Sequence, residues 1–248
     1  MTLFLTGYTG GSGRVNGQRV SCEFSRANGF ADLLRQSLPD VVRCLVVTAE
    51  PSDYDDNDAM AQRLLGGFKL DGFNIECVDM CDDRNAESLV PRVNDYNLLF
   101  LGGGHVPTQI EFFQRINLRE AVENYRGIVV GRSAGAMSCA DVVYAPPELD
   151  GEAIDANYER YLTGLGLTDI NIFPHFEYVG DTMLDGLHMT TDILLADSRV
   201  RPFYAITDKS FIYISGEQAT VHGEAYLFED DVVKQICRDG EVVGVNKH

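Results

Sequence analysis

Short apolar runs alternate with longer amphipathic segments through about the first 200 residues of the chain. This alternation is typical of β-strands joined by crossover helices, and hence of a parallel sheet. The apolar runs predict strands at 2–6, 43–48, 73–80, 96–104, 127–130, 169–176 and 202–208. The amphipathic segments predict helices at 30–38, 56–70, 86–93, 108–125 and 182–198. The predicted fold class is therefore α/β, a mostly parallel sheet flanked by helices, with a polar, glycine-rich loop after the first strand.

The C-terminal part of the sequence has a different pattern. Short β-rich segments are separated there by turn signals such as SGE, FEDD and RDGE, and they lie at 211–215, 219–223, 225–228, 232–237 and 242–245. Closely spaced short strands of this kind predict an antiparallel meander. Since no linker or repeat interrupts the chain, we expect a single domain over 1–248 with a β-rich tail from about 211 to 248 docked on it.

Charge and composition exclude several classes of partner. Twenty Lys and Arg against 38 Asp and Glu give a formal net charge of −18, which repels phosphate backbones and anionic lipids. No apolar run approaches the roughly 18 residues of a membrane span, and no signal peptide is recognisable. We expect a cytoplasmic protein without a nucleic-acid or membrane partner. Cys77 and Cys81 lack the second pair that a zinc site needs, so no metal is expected.

The main chemical signal follows the strand at 127–130. The sequence Gly131-Arg132-Ser133-Ala134-Gly135 is a G-x-S-x-G motif between a strand and a helical stretch. In this context the motif is typical of a nucleophile elbow, a sharp turn that exposes a serine at the carboxyl edge of the sheet. Ser133 is therefore the candidate nucleophile.

A serine nucleophile needs a base, and histidine is the usual one. Of the five histidines, His175 directly follows the apolar run DINIF, at a strand end on the same predicted sheet edge as Ser133. The histidine in turn needs an acid that orients it. Asp208, which closes the strand at 202–208, is the leading candidate, and Glu177 is its rival.

Two further carboxylates, Asp181 and Glu148, are weaker candidates for that acid. The glycine run Gly102–Gly104 ends the strand before the elbow strand. The backbone N–H groups of Gly103 and Gly104, with that of Ala134, are predicted to form an oxyanion hole.

Four motifs resemble the peptidase E and cyanophycinase group of serine peptidases, whose fold is like that of class I glutamine amidotransferases. They are FLTGY, LFLGGGH, GRSAGAM, and FPHF followed by AITDKSFIYISGEQATVHG. The chain order Ser, His, acid also resembles this group and differs from that of α/β-hydrolases. The resemblance implies Ser133 as nucleophile, His175 as base and Asp208 as the third member, without a cofactor.

The resemblance also implies a small peptide substrate, since members cleave dipeptides with an N-terminal aspartate or the Asp/Arg branches of cyanophycin. The chain departs from peptidase E in having Asp208 in place of a glutamate and His105 in place of a common asparagine. Arg132 is the candidate partner for an acidic substrate group. Exposed edge strands in the tail would allow a homodimer.

Three other functions compete with a peptidase. A non-catalytic protein could bind a small ligand on the same scaffold. The glycine pattern of Gly7, Gly11 and Gly13 resembles a dinucleotide site, although no helical periodicity follows it and no Tyr-x-x-x-Lys pair occurs. A glutamine amidotransferase needs a cysteine at the elbow, where this chain has Ser133.

Overall fold

The structure of the chain is a computed structural model that describes residues 1–246. Its β-strands are β1 (Thr2–Thr6), β2 (Gly10–Val15), β3 (Gln18–Phe24), β4 (Val42–Val47), β5 (Ile75–Cys81), β6 (Leu98–Leu101), β7 (Ile128–Arg132), β8 (Val142–Tyr144), β9 (Tyr161–Thr163), β10 (Ile172–Phe173), β11 (Met183–Leu184), β12 (Leu187–His188), β13 (Phe203–Ile206), β14 (Phe211–Ser215), β15 (Gln218–His222), β16 (Ala225–Glu229), β17 (Val232–Cys237) and β18 (Val242–Gly244).

The helices are mostly short. The α-helices are α1 (Phe30–Ser37), α2 (Tyr54–Leu70), α3 (Ala86–Leu89), α4 (Val106–Arg115), α5 (Leu118–Val122), α6 (Ala134–Met137), α7 (Phe176–Val179) and α8 (Leu195–Ser198). Two 3-10 helices (Ala27–Gly29 and Val90–Asp95) and one π-helix (Met189–Leu194) complete them. Among residues 1–246, no helix has both the length and the apolar character needed to cross a bilayer.

An eight-stranded sheet forms the centre of the molecule, in the order β18-β15-β14-β1-β7-β6-β4-β5. The five strands from β1 to β5 in this order run parallel, whereas β14, β15 and β18 are antiparallel. The parallel strands at the centre, such as β6 and β7, are almost wholly buried, because helices cover both faces. The α/β fold predicted from the sequence is thereby confirmed.

Alternate residues of the central strands face two separate apolar layers. Phe4 and Val130 pack with α1 and α2 on one face of the sheet, while Leu5 and Leu101 pack with α4 and α5 on the other. This two-sided burial fixes the register of each strand, since a shift by one residue would exchange the two faces. The strand ends, where the candidate site lies, are held in place by these layers.

The C-terminal strands are divided between two sheets. Strands β14, β15 and β18 extend the central sheet, whereas β16 and β17 join a four-stranded sheet of order β10-β13-β16-β17. The prediction of one continuous meander is therefore wrong, although the pairings of the tail strands are antiparallel. Val232 and Val233 are exposed on the edge strand β17. Dimer formation through such edges stays a prediction.

Two predicted segments contain hairpins that the sequence pattern did not indicate. The predicted loop after β1 contains the hairpin β2–β3, with Asn16 and Gly17 at φ of 50° and 80° in its turn. The predicted helix at 182–198 begins with the hairpin β11–β12, whose turn residues Asp185 and Gly186 have φ of 52° and 83°. Asn-Gly and Asp-Gly are the dipeptides that favour two-residue hairpin turns. At 185–186 the turn chemistry therefore prevailed over the apolar pattern, and the rest of the predicted helix is present as Met189–Leu194 and Leu195–Ser198.

The predicted helix at 108–125 is interrupted. Helix α4 ends at Arg115, and Asn117 adopts a left-handed conformation with φ of 50° before α5 begins. Asparagine tolerates this region better than other non-glycine residues. The predicted strand at 169–176 is reduced to the two residues of β10.

Candidate active site

Ser133 lies in a strained turn between β7 and α6. Its backbone has φ of 53° and ψ of −122°, and its N–H donates a hydrogen bond to the carbonyl of Thr6 at 2.8 Å. A Cβ atom at Gly131 would lie 2.5 Å from the Cα of Ala136, and one at Gly135 would lie 2.3 Å from the carbonyl oxygen of Leu101. Close backbone contacts therefore require glycine at both positions of the motif. The strained backbone of Ser133 is of a kind that is frequent at functional sites.

His175 and Asp208 lie at the ends of two neighbouring parallel strands. Each comes two residues after its strand, β10 and β13, which pair in the four-stranded sheet. Ser133 comes from the central sheet, so the three side chains meet where the two sheets adjoin. His175 Nε2 is 2.9 Å from Ser133 Oγ, and His175 Nδ1 is 2.5 Å from Asp208 Oδ1. The chain of contacts is Ser133, His175, Asp208.

The other candidate carboxylates have different positions. Glu177 accepts a hydrogen bond from the backbone N–H of Asp208 at 2.8 Å, so it supports the acid rather than contacting the imidazole. Asp181 contacts His188 at 3.0 Å. Glu148 lies in the wall of a neighbouring pocket. Among these carboxylates, the structure brings Asp208 to His175 Nδ1.

Gly7 is a residue of the site that sequence reasoning did not assign. A Cβ atom at this position would lie 2.7 Å from Asp208 Oδ1 and 3.4 Å from His175 Nδ1. Any side chain here would displace the contact between the carboxylate and the imidazole. The signal was present, since Gly7 directly follows the first strand in the motif FLTGY.

The three predicted oxyanion donors are free to bind a ligand. Within residues 1–246, no hydrogen bond engages the backbone N–H of Gly103, Gly104 or Ala134. The loop is anchored at Gly102, whose N–H donates to the carbonyl of Val47 at 2.9 Å. A Cβ atom at Gly103 would lie 2.9 Å from the Cβ of Ser133, so the glycine loop directly borders the serine.

His105, which follows the glycine run, takes no part in the contacts of Ser133. Its Nδ1 is 2.9 Å from Thr108 Oγ1 and its Nε2 is 2.9 Å from Glu152 Oε1. Glu152 also accepts the backbone N–H groups of Glu148 and Leu149. His105 therefore anchors the loop that carries Glu148.

A polar cleft of about 830 Å³ lies on the glycine-loop side of Ser133. Arg132 lines it and is partly buried, and its guanidinium has one neighbouring acceptor, Met60 Sδ at 3.9 Å. Among residues 1–246 no carboxylate pairs with Arg132, whereas Asp56 pairs with both Arg19 and Arg63 at 2.7 and 3.1 Å. Burial, with repulsion from Arg19 and Arg63, lowers the pKa of Arg132.

A second, largely apolar cavity of about 330 Å³ lies on the His175 side of Ser133. Its apolar walls include Met137, Pro146, Phe173, Val179, Leu184 and Met189. Glu148 is the carboxylate among the lining residues. Glu148 is exposed at the surface. Loss of hydration next to the surrounding protein, with repulsion from Glu152, raises its pKa to about 7, while His175 acts in the opposite direction.

This geometry suits nucleophilic catalysis. If the Nδ1–H of His175 donates a hydrogen bond to Asp208, the lone pair of Nε2 faces the hydroxyl of Ser133. The N–H groups of Gly103, Gly104 and Ala134, which make no backbone hydrogen bond, stay the predicted donors to an oxyanion. Within residues 1–246, no three His, Cys, Asp or Glu side chains are grouped so as to hold a metal ion.

Comparison with known proteins decides the family. The model of Peptidase family S51 matches residues 25–222. The chain belongs to peptidase family S51. This S51 chain is therefore a serine-type peptidase, and its substrates are peptides. The alternatives of an oxidoreductase, an amidotransferase and a non-catalytic protein are set aside.

Solved structures share the fold of this S51 chain. A peptidase from an acI-B1 Actinobacterium is 15% identical with a TM-score of 0.69, over 98% of this chain and 96% of the other. A putative peptidase E protein from Listeria monocytogenes EGD-e is 13% identical with a TM-score of 0.57, over 95% of this chain and 98% of the other. Comparison with curated proteins gives no significant match.

Proposed function

We propose that this S51 peptidase hydrolyses short peptides through an acyl-enzyme on Ser133, with His175 as base and Asp208 as the orienting acid. The proposal is carried by the contact chain from Ser133 Oγ to His175 Nε2, 2.9 Å, and from Nδ1 to Asp208, 2.5 Å. Ser133 and His175 both have a positive φ, of 53° and 61°. Strain at two contacting polar residues is more readily explained by chemistry than by stability.

In the acylation step, Ser133 Oγ attacks the scissile carbonyl carbon and its proton moves to His175 Nε2. The carbonyl oxygen gains the negative charge and accepts hydrogen bonds from Gly103, Gly104 and Ala134. Collapse of this intermediate breaks the C–N bond, and the proton on Nε2 moves to the leaving amine. Asp208 stabilises the imidazolium between these two transfers.

In the deacylation step, a water molecule takes the place of the departed amine. His175 Nε2 removes a proton from it while the oxygen attacks the acyl carbon. The second tetrahedral intermediate releases the acid product and returns the proton to Ser133 Oγ. Water is the co-substrate, and the two steps together consume one water per peptide bond.

Arg132 supports a substrate with an anionic group, such as an N-terminal aspartyl side chain. A partly buried guanidinium without a carboxylate partner is costly to the folded protein. A substrate carboxylate in the polar cleft would supply the missing acceptor, and Arg binds carboxylates through two parallel hydrogen bonds. We therefore expect acidic dipeptides among the substrates.

Fluorophosphonate labelling combined with a dipeptide panel tests the proposal. We expect one adduct on Ser133 by peptide mass spectrometry, lost in Ser133→Ala and strongly reduced in His175→Ala. Heat-unfolded protein is the control for non-specific reaction. Folded wild-type protein that neither labels nor cleaves any dipeptide would contradict the proposed function.

A further inference from the structure

The apolar pocket beside Ser133 and His175 has no role in the chemical steps. Ser133 and His175 form part of its wall, so whatever occupies it lies next to the scissile bond. Its volume of about 330 Å³ is at the lower end of the range for small-molecule pockets, and it suits one large amino-acid side chain. Phe173 and Met189 are buried behind its surface and give it a packed apolar floor.

The pocket has an exposed apolar residue in its wall. Met183 lines it and is 61% exposed. Leu149 and Tyr178, which are each one residue away in sequence from a lining residue, are exposed by 54% and 67%. A large exposed apolar side chain in the wall of such a pocket is available to contact an apolar ligand.

The walls of the pocket are held together by hydrogen bonds. Asp185, in the turn of the hairpin β11–β12, accepts the backbone N–H groups of Gly151 at 2.8 Å and Ala153 at 3.0 Å. These bonds tie the hairpin to the loop that carries Glu148. A pocket with fixed walls loses little conformational entropy when it is filled.

The charges of the pocket disfavour an acidic occupant. No Lys or Arg is among its lining residues, and Glu148 is the one carboxylate. An acidic side chain would lose hydration, meet no Lys or Arg and be repelled by the ionised form of Glu148. An apolar side chain would be transferred from water to an apolar surface without such a penalty.

We propose that this pocket is the subsite for a large apolar side chain, such as Leu, Met or Phe, on a substrate residue that flanks the scissile bond. This inference rests on the proposed function and adds substrate specificity to it. The anionic group of the substrate binds on the other side of Ser133, at Arg132. The two requirements then apply to different parts of one short peptide.

Two series of dipeptides test the inference. The first varies the residue that supplies the scissile carbonyl, and the second varies the leaving residue; each compares Phe, Leu, Ala and Asp. In one of the two series we expect kcat/KM to be about 10- to 100-fold higher for Phe or Leu than for Ala. The series that responds identifies which flanking residue enters the pocket. Equal values for Phe and Ala in both series would overturn the inference.

A variant of the pocket rim sharpens the test. Met183 lines the pocket and is largely exposed, so Met183→Asp is compatible with folding. We expect this change to lower the Phe-to-Ala ratio of kcat/KM about 10-fold, because the new carboxylate faces the apolar side chain. The matched control is Val200→Asp, at a position that is 73% exposed and outside the pocket lining. An unchanged ratio in Met183→Asp would contradict the subsite.

A second measurement separates this inference from the proposed function. Labelling of Ser133 is followed with a methyl and with a phenylalkyl fluorophosphonate of the same leaving group. We expect the phenylalkyl probe to react about 10-fold faster, and Met183→Asp to remove the difference. Labelling at equal rates overturns the subsite alone. Absence of both labelling and cleavage overturns the proposed function and the subsite together.

Discussion

The two cavities that flank Ser133 differ in chemistry and in origin. The cleft on one side is polar and contains Arg132, and the hairpin β2–β3 and helix α2 contribute to its walls. The pocket on the other side is largely apolar, and the segments 146–148 and 179–189 contribute to it. The proposed reacting groups lie just beyond the ends of β7, β10 and β13. Ser133 and His175 line the apolar pocket, whereas the polar cleft reaches the neighbouring Arg132, Gly103 and Gly104. Under the proposed function the chemistry depends on these strand ends, and much of the wall that would select a substrate comes from other elements of the chain.

The two cavities also differ in the ligand charge that each of them favours. In the cleft, Arg132 is partly buried without a carboxylate partner, so an anion improves the electrostatic balance. In the pocket, Glu148 already resists ionisation, and a second negative charge would raise the cost. A substrate with a carboxylate at one end and an apolar side chain nearby satisfies both. Four predictions test this division.

The largest effect is expected at Asp208, because turnover depends on it whichever cavity binds the substrate. Asp208→Asn removes the charge that orients His175 and stabilises the imidazolium, and we expect kcat to fall about 10⁴-fold. The loss should be equal for acidic and apolar substrates, because neither cavity contains Asp208. Steady-state kinetics on both substrate classes measure it.

Glu177→Gln is the control for this prediction. Glu177 accepts the N–H of Asp208 and does not touch the imidazole, so its amide should reduce kcat about 10-fold or less. A larger loss in Glu177→Gln than in Asp208→Asn would assign the orienting role to Glu177.

A smaller effect, again on both classes of substrate, is expected at the predicted oxyanion loop. A methyl group at Gly103 would lie 2.9 Å from the Cβ of Ser133 and 3.1 Å from the carbonyl of Arg132. Gly103→Ala should displace the N–H donors and lower kcat about 10²- to 10³-fold. Gly244→Ala, where a Cβ meets nothing within 4 Å, is the control. Unchanged kcat in Gly103→Ala would remove this loop from the oxyanion hole.

Much of this site could be predicted from the sequence, because the ends of β-strands can be recognised there. The strands before His175 and Asp208 are parallel neighbours, so the rule that carboxyl ends share one edge brings these two residues together. The expectation that Ser133 lies on the same edge is wrong, because β7 belongs to the other sheet. The G-x-S-x-G motif required a strand before it and a helix after it, and β7 and α6 supply them. Local patterns with a strict geometric consequence were therefore predictable.

The cavities were harder to predict, because their walls come from segments that are distant in the sequence. The cleft needs the hairpin β2–β3, whose polar, glycine-rich sequence is typical of a loop. The pocket needs the hairpin β11–β12, where an apolar pattern suggested a helix. Which of several carboxylates meets His175 also depended on tertiary contacts. The hydrophobic periodicity of a segment indicates which of its side chains are buried. It does not indicate which distant loops come into contact.

The next prediction separates the two cavities. Arg132→Met keeps the length and apolar stem of the side chain but removes its charge. We expect kcat/KM to fall about 10- to 100-fold for dipeptides with an acidic group. Neutral dipeptides with a large apolar residue should keep their wild-type values. An equal loss on both classes would mean that Arg132 supports the elbow and not the substrate.

The smallest expected effect concerns the proton on Glu148, because this side chain is exposed and solvent screens the interactions that raise its pKa. Its pKa of about 7 exceeds the roughly 4.3 of an unfolded glutamate, so between these values the folded state binds the extra proton. The free energy of unfolding therefore declines through this group as pH rises from about 4.3 to about 7, and is constant above. In Glu148→Gln this decline should be shallower, by urea unfolding at several pH values. Glu217→Gln, in the exposed turn after β14, is the control. Parallel curves for wild type and Glu148→Gln would show that the pocket does not hold this proton, and would weaken the electrostatic argument against acidic occupants.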